Sequence, residues 1–194
     1  MEFFNNENKN RNYLFDKLKD NIEIAKHNCF VGKEIPVPYK NIYIPGRNSL
    51  EIWCFKQDIC IYQKLFDKSV DFKNIAVTAN NKPLLNIDLE GTINGEDVGM
   101  PFVIIETKMV KTNTHELLAS SEKAKMIKTI FPYCKIFLLV FGFPMPPRIY
   151  RLCSGFDEIL FLDKLDGEIF EHNIKKIFEA VSNAFFYVTS VVSY

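Results

Sequence analysis

The sequence predicts an α/β fold, a central mixed β-sheet flanked by helices. Three observations lead there. Residues 48–141 read as helix, strand, strand, strand, helix, strand. Lys135–Phe141 is a nearly all-apolar run, as expected of a strand buried on both faces. Asn94-Gly95, set between two strand-like segments, is a strong hairpin signal.

Residues 1–12 are polar and Asn-rich and read as a frayed lead-in. Tyr13–Lys26 places Leu14, Phe15, Leu18 and Ile22 at helical spacing. Val31–Pro45, with prolines at 36, 38 and 45, reads as an extended connection. A helix is predicted next, from a cap at Asn48 or Ser49 to about Asp67, with Glu51 in its first turn and Ile52, Trp53, Ile59 and Leu65 as its apolar residues. Strands follow at Asn74–Thr78, Leu84–Ile93 and Phe102–Val110, with a turn at Asn80–Pro83. Thr114–Thr129 is a helix, Arg148–Leu152 and Glu158–Leu162 are short strands, and a helix from Gly167 to about Val188 closes the chain. No internal repeat and no domain boundary is visible, so all 194 residues are expected to form one domain.

Hydrophobic residues make up 47% of the chain and charged residues 25%, ordinary values for a globular domain, and 18 phenylalanines point to an aromatic core. The formal net charge is zero, so the chain as a whole gives no electrostatic sign of a polyanionic partner. The distribution says more: Asn86–Thr107 holds five acids and no base, and Lys108–Lys135 holds six lysines and two acids. An acidic block beside a basic one suits a cation next to a polyanion, although two solvated surfaces would look the same. Five cysteines without a CxxC pair argue against a disulfide framework or a zinc ribbon and for a reducing, cytoplasmic location. The start, Met-Glu-Phe-Phe followed by polar residues, does not read as a secretory signal, and no stretch reaches the ~20 apolar residues of a membrane span.

The chemistry is expected where acids share a strand face. Residues two apart on a strand point the same way, so Glu106 and Lys108 project together, as do Asp88 and Glu90 on the strand before. A hairpin would bring Asp88 beside Glu106. Two carboxylates about 4 Å apart repel by roughly 4 kcal/mol at an effective dielectric of 20, and a divalent ion removes that cost. Hard oxygen ligands favour magnesium or manganese. The spacing alone is a weak signal, because cross-strand ion pairs on a surface hairpin would produce it too.

The set Asn86-Ile87-Asp88 and Ile104-Ile105-Glu106-Thr107-Lys108 resembles the PD-(D/E)XK nucleases, a superfamily that includes many type II restriction endonucleases, archaeal Holliday junction resolvases and several viral nucleases. The resemblance covers residues 48–141 and departs from the motif at Ile87, where the Pro that gives the family its name would stand. It implies a restriction endonuclease-like core and hydrolysis of DNA phosphodiester bonds with Mg2+ or Mn2+. It assigns metal binding to Asp88, Glu106 and the main-chain carbonyl of Thr107, and catalysis to Lys108. Many members carry an acid on the first core helix, a place that Glu51 would fill; a first-turn acid favoured by the helix dipole fits Glu51 equally well.

Lys111, Lys123, Lys125 and Lys128 are candidate phosphate contacts, and Glu90 is a candidate outer ligand. His115 is a candidate helper base, and Tyr133 reads as packing. A homodimer would suit the cutting of two strands, with Phe178, Phe185, Phe186 and Tyr187 as an interface if they are not core. The competing expectation is a catalytically inactive nucleic-acid-binding or assembly module on the same fold.

Overall fold

The computed structural model describes residues 6–19, 24, 27–44, 49–64, 75–79, 82–84, 98–142, 147–162 and 167–192. Helix α1 (Glu7–Lys19) leads into a long antiparallel ribbon, β1 (Phe30–Ile44) and β2 (Ser49–Lys64). Strands β3 (Ile75–Ala79) and β4 (Lys82–Leu84) follow, then β5 (Gly99–Met109), α2 (Thr114–Ile130), β6 (Lys135–Phe141), α3 (Arg148–Leu152), β7 (Glu158–Leu162) and α4 (Glu168–Val192). The strands form one seven-stranded mixed sheet in the order β4-β3-β2-β5-β6-β7, with β1 also paired to β2. β5, β6 and β7 run parallel to one another, whereas β2 is antiparallel to β5.

Alternation along the central strands sorts the core into two layers. Val103 and Ile105 of β5, with Phe137, Leu139 and Phe141 of β6, pack against Leu14 and Leu18 of α1 and Ile174, Ile177 and Val181 of α4. On the opposite face Ile104 and Ile136 meet Ala124 and Ile127 of α2, and Leu138 and Val140 meet Leu117 of α2 and Ile149 of α3. The α/β class with helices on both faces is therefore as the sequence predicts.

Several elements differ from the sequence reading, among them β4, which takes Lys82 and Pro83 from the expected turn into a strand paired with β3. Of the helix expected from residue 48 to about 67, the described part, Ser49–Lys64, is strand β2. Its β-branched and aromatic residues Ile52, Trp53, Phe55, Ile59, Ile61 and Tyr62 favour a strand, and Ile59, Cys60 and Ile61 are consecutive and fully buried, which a one-sided helical stripe would not give. The proline-bearing connection is strand β1, which among the described residues pairs only with β2. Pro36 and Pro38 are two residues apart, so both missing N–H groups fall on one side of an edge strand, where no ladder bond is lost. Arg148–Leu152 is a helical turn entered from Pro147, with Ile149 buried, in place of a short strand. α1 also begins earlier than expected, at Glu7, where the Asn6 side-chain oxygen accepts the Asn8 N–H at 2.9 Å.

Candidate active site

The β2–β5 ladder runs from Lys64↔Gly99 to Ile59↔Ile105 and stops there, while β5 continues for four residues beside β6. N–H groups two apart on a strand point the same way, so those of Thr107 and Met109 face the side that β2 has left. Both are taken by carboxylates. Asp58, the next residue of β2, accepts the Thr107 N–H on Oδ2 at 2.8 Å and the Thr107 hydroxyl on the same atom at 2.8 Å. Glu7, at the start of α1, accepts the Met109 N–H. An orphan donor buried beside a sheet is costly, so the fold fills the end of the ladder with acids.

Glu106 and Lys108 rise from the same stretch of β5. The Lys108 ammonium lies 2.7 Å from Glu106 Oε1 and 2.9 Å from the main-chain oxygen of Thr107. The Ser120 hydroxyl, on the buried face of α2, donates to the same Oε1 at 2.7 Å. Among the described residues, both bonds to Glu106 fall on Oε1. Arg11 of α1 closes the other side, 2.6 Å from Asp58 Oδ1 and 3.0 Å from Glu34 Oε1. Arg11, Asp58, Glu106 and Lys108 keep only 13–16% of their side-chain surface exposed.

The electrostatics are strongly coupled. Burial pulls the Lys108 ammonium towards deprotonation, but the charge and hydrogen bond of Glu106, with Asp58 and Glu7 behind it, leave its pKa above the ordinary value. Lys108 is thus a cation and a donor at neutral pH, not a base. Glu7 is shifted up, first by burial and then by the neighbouring Asp58 and Glu106, against the pull of Lys108 and the Met109 N–H. Three carboxylates (Glu7, Asp58, Glu106) face two bases (Arg11, Lys108), an arrangement that leaves room for further positive charge. Among the described residues no group of three or more His, Cys, Asp or Glu side chains is placed to hold a metal ion by itself. The donor chemistry nevertheless suits a hard cation, because one ammonium already lies against both the Glu106 carboxylate and the Thr107 carbonyl oxygen.

The sequence-predicted residues are placed unevenly. Glu106, Thr107 and Lys108 stand together at the open end of β5. Asp88 and Glu90 lie outside the described residues. Apart from Leu84, the strand expected at Leu84–Ile93 and the Asn94-Gly95 hairpin that would carry Asp88 to Glu106 lie outside them too; among the described residues the neighbours of β5 are β2 and β6. Glu51 is on β2, opposite Ile42 of β1 and Ala76 of β3, and not on a first core helix. It precedes Asp58 by seven residues, about 23 Å along a strand. The helical acid beside Glu106 is Glu7, which the sequence reading assigned to a frayed lead-in.

Asp58 was missed because its segment was read as a helix. Its signal is an acid in the apolar run from Ile52 to Tyr62, which a buried strand keeps only with partners. Of the four candidate phosphate lysines, Lys128 is paired with Asp157, Lys125 with Glu122 at 2.6 Å, Lys123 lies over the Phe55 ring, and Lys111 is exposed. His115 is exposed at the start of α2. Tyr133 packs among Phe102, Phe131 and Tyr187, and burial raises its pKa. Phe178 and Phe185 pack against the core, whereas Phe186 and Tyr187 are exposed. Among the described residues no helix is long and apolar enough to cross a membrane. In comparisons with known proteins the chain matches no family model and no curated protein.

Proposed function

We propose that this protein is a metal-dependent endonuclease that hydrolyses DNA phosphodiester bonds, with its centre at the end of the β2–β5 ladder. The observation that supports it is the convergence of Glu106, Lys108, Asp58 and Glu7 where β5 outruns β2. With α1 as the first core helix, the order helix, strand, strand, strand, helix, strand reappears as α1, β1, β2, β5, α2, β6, and β3–β4 is an excursion. In this reading Glu7 would take the helical acid's role that the resemblance to PD-(D/E)XK nucleases gives to Glu51, and Asp58 the strand acid's role that it gives to Asp88, which lies outside the described residues.

Glu106 and the Thr107 carbonyl oxygen would hold Mg2+ or Mn2+, joined by Asp58. The ion would supply Lewis-acid polarisation of a phosphate oxygen and a bound water of lowered pKa. Lys108, held charged by Glu106, donates to the attacking water or to the charge developing on phosphate. Ser120 fixes the Glu106 carboxylate from behind. Arg11 orients Asp58 and offsets its charge. Two active sites related by two-fold symmetry would cut both strands of a duplex, so a homodimer in the cytoplasm belongs to the same proposal.

The test is incubation of the protein with linear duplex, single-stranded and branched DNA in magnesium, in manganese and in EDTA, beside Lys108→Ala. The reading expects products that need the metal and vanish with the variant. Discrete fragments from linear duplex would mark a restriction-type enzyme, and cuts confined to branched DNA a structure-specific one. A second reading, a non-catalytic nucleic-acid-binding or assembly module, draws on Arg11, which already engages Asp58. DNA binding unchanged by Lys108→Ala, without cleavage in either metal, would favour it.

A further inference from the structure

We infer that the β1–β2 ribbon beside this site carries a stacking platform for unpaired nucleobases, so that the chain binds single-stranded nucleic acid there. The inference rests on the nuclease reading and, of its two forms, favours the structure-specific one, in which an unpaired strand of branched DNA reaches the site. Tyr39 is the extra residue of a β-bulge, where the register slips between Pro38↔Cys54 and Lys40↔Trp53. A bulge re-aims its side chain, and Tyr39 lies flat on Phe55 with ring centroids 3.8 Å apart and planes 9° from parallel. Two residues along β2, Trp53 sits directly opposite Lys40, whose ammonium is 5.9 Å from its ring centroid. From α2, the Lys123 ammonium is 5.4 Å from the Phe55 ring centroid.

All three rings are half-buried and the two lysines are exposed. Neither Lys40 nor Lys123 is ion-paired with a carboxylate among the described residues. The ammoniums lie over the Trp53 and Phe55 rings, so an arriving base would displace an exposed lysine from a ring face and stack there while the phosphates take up the freed charge. Base-pair stacks in a duplex hide the faces that such rings would touch. A purely protein partner is the weaker fit, because the rings come paired with cations and not with mixed charge.

The platform reaches the candidate active site through α2. Lys123 lies three residues after Ser120, about 5–6 Å away on one helix face, and Ser120 holds Glu106. That is within the span of one or two nucleotides, so a strand placed at Glu106 would reach the rings by way of Lys123.

Trp53 is the sole tryptophan, so its fluorescence reports on the platform. The experiment titrates the intact chain in EDTA with 12-nucleotide oligothymidylate and with an abasic oligomer of the same length, which has the phosphates without the bases. The inference expects quenching by oligothymidylate alone, and binding about tenfold tighter than for the abasic oligomer. Tyr39→Leu should bring the two oligomers within about twofold of each other. If that variant does not fold, the wild-type contrast stands as the test. Equal binding of the two oligomers, or equal quenching by polyglutamate, would overturn the inference. Cleavage of duplex with equal oligomer binding would sink the platform and leave the nuclease, whereas base-dependent quenching without cleavage in any metal would do the reverse.

Discussion

Asp58 Oδ2 accepts two hydrogen bonds from Thr107, one from its main-chain N–H and one from its hydroxyl, each at 2.8 Å. A side chain of β2 thereby replaces the ladder bond that β2 would have made one residue further on. Its second oxygen neutralises Arg11 at 2.6 Å. Asp58→Asn keeps an acceptor for Thr107 but removes the charge that Arg11 needs. The expected loss is about 1–3 kcal/mol of stability, with cleavage reduced roughly 100-fold or more. Urea unfolding and a cleavage time course measure the two. Asp88→Ala, run beside it, decides which aspartate serves the site: full activity there with loss at Asp58 assigns the role to Asp58, and the opposite pattern returns it to Asp88.

Glu7 pays for its position in stability. Burial and two neighbouring acids raise its pKa, so the folded chain holds the Glu7 proton more tightly than the unfolded chain does. The stabilisation from that proton is full below the unfolded carboxylate pKa and is lost as pH rises through the raised folded value. At neutral pH the ionised group is therefore a liability. Glu7→Gln, which can still accept the Met109 N–H, is expected to raise the melting temperature at pH 7 and to lose that advantage in acid, while cleavage falls. A melting temperature at pH 7 below that of the native chain would contradict this account.

Ser120 donates to Glu106 at 2.7 Å from a buried position on α2. Ser120→Ala should cost about 1 kcal/mol of stability and weaken the response to magnesium about tenfold, with Ser120→Thr closer to the native chain. Cleavage rate against magnesium concentration separates this from a purely structural role, which would leave the metal dependence where it was.

Asp157 fixes the far side of the sheet. Burial raises its pKa, but the bond from Lys128, the Ile136 N–H at 2.8 Å and the charge of Lys135 outweigh it, and the pKa ends below the ordinary value. Its stabilisation is present above the unfolded carboxylate pKa and is lost as pH falls through the depressed folded value. Asp157→Asn should flatten the acid limb of a stability–pH profile. Lys128 serves this pair, so Lys128→Ala should lower stability more than it lowers DNA affinity.

Gly155 meets α2 so closely that a Cβ would overlap the Ser121 carbonyl oxygen, and its N–H bonds the Ser121 hydroxyl at 2.8 Å. Gly155→Ala is expected to cost about 1–3 kcal/mol, read as a lowered melting temperature with the same far-ultraviolet circular dichroism.

The parallel half of the sheet was legible in the sequence. β6 announces itself as an unbroken apolar run, and β5, α2, β7 and α4 follow their periodicity. The ribbon was not. Ser49 and Glu51 imitate a helix start, and Ile52, Ile59 and Leu65 fall near helical spacing, whereas long-range pairing with β1 and β5 decides for a strand. The prolines of β1 conceal it for a similar reason, since only an edge position makes them tolerable. Half of the candidate site could be read from one strand, because Glu106 and Lys108 share a face by alternation alone. Asp58 and Glu7 arrive through tertiary contacts 49 or more residues away in sequence from Thr107 and Met109, and local patterns do not carry that information.

The most direct measurement is the rate of DNA cleavage in magnesium by Glu106→Gln against the native chain, with both melting temperatures recorded. The account predicts a metal-dependent native activity that drops roughly 100-fold or more in the variant while the fold is retained. Native protein that leaves every DNA form intact in both metals, or a Glu106→Gln variant that cuts at the native rate, would contradict it.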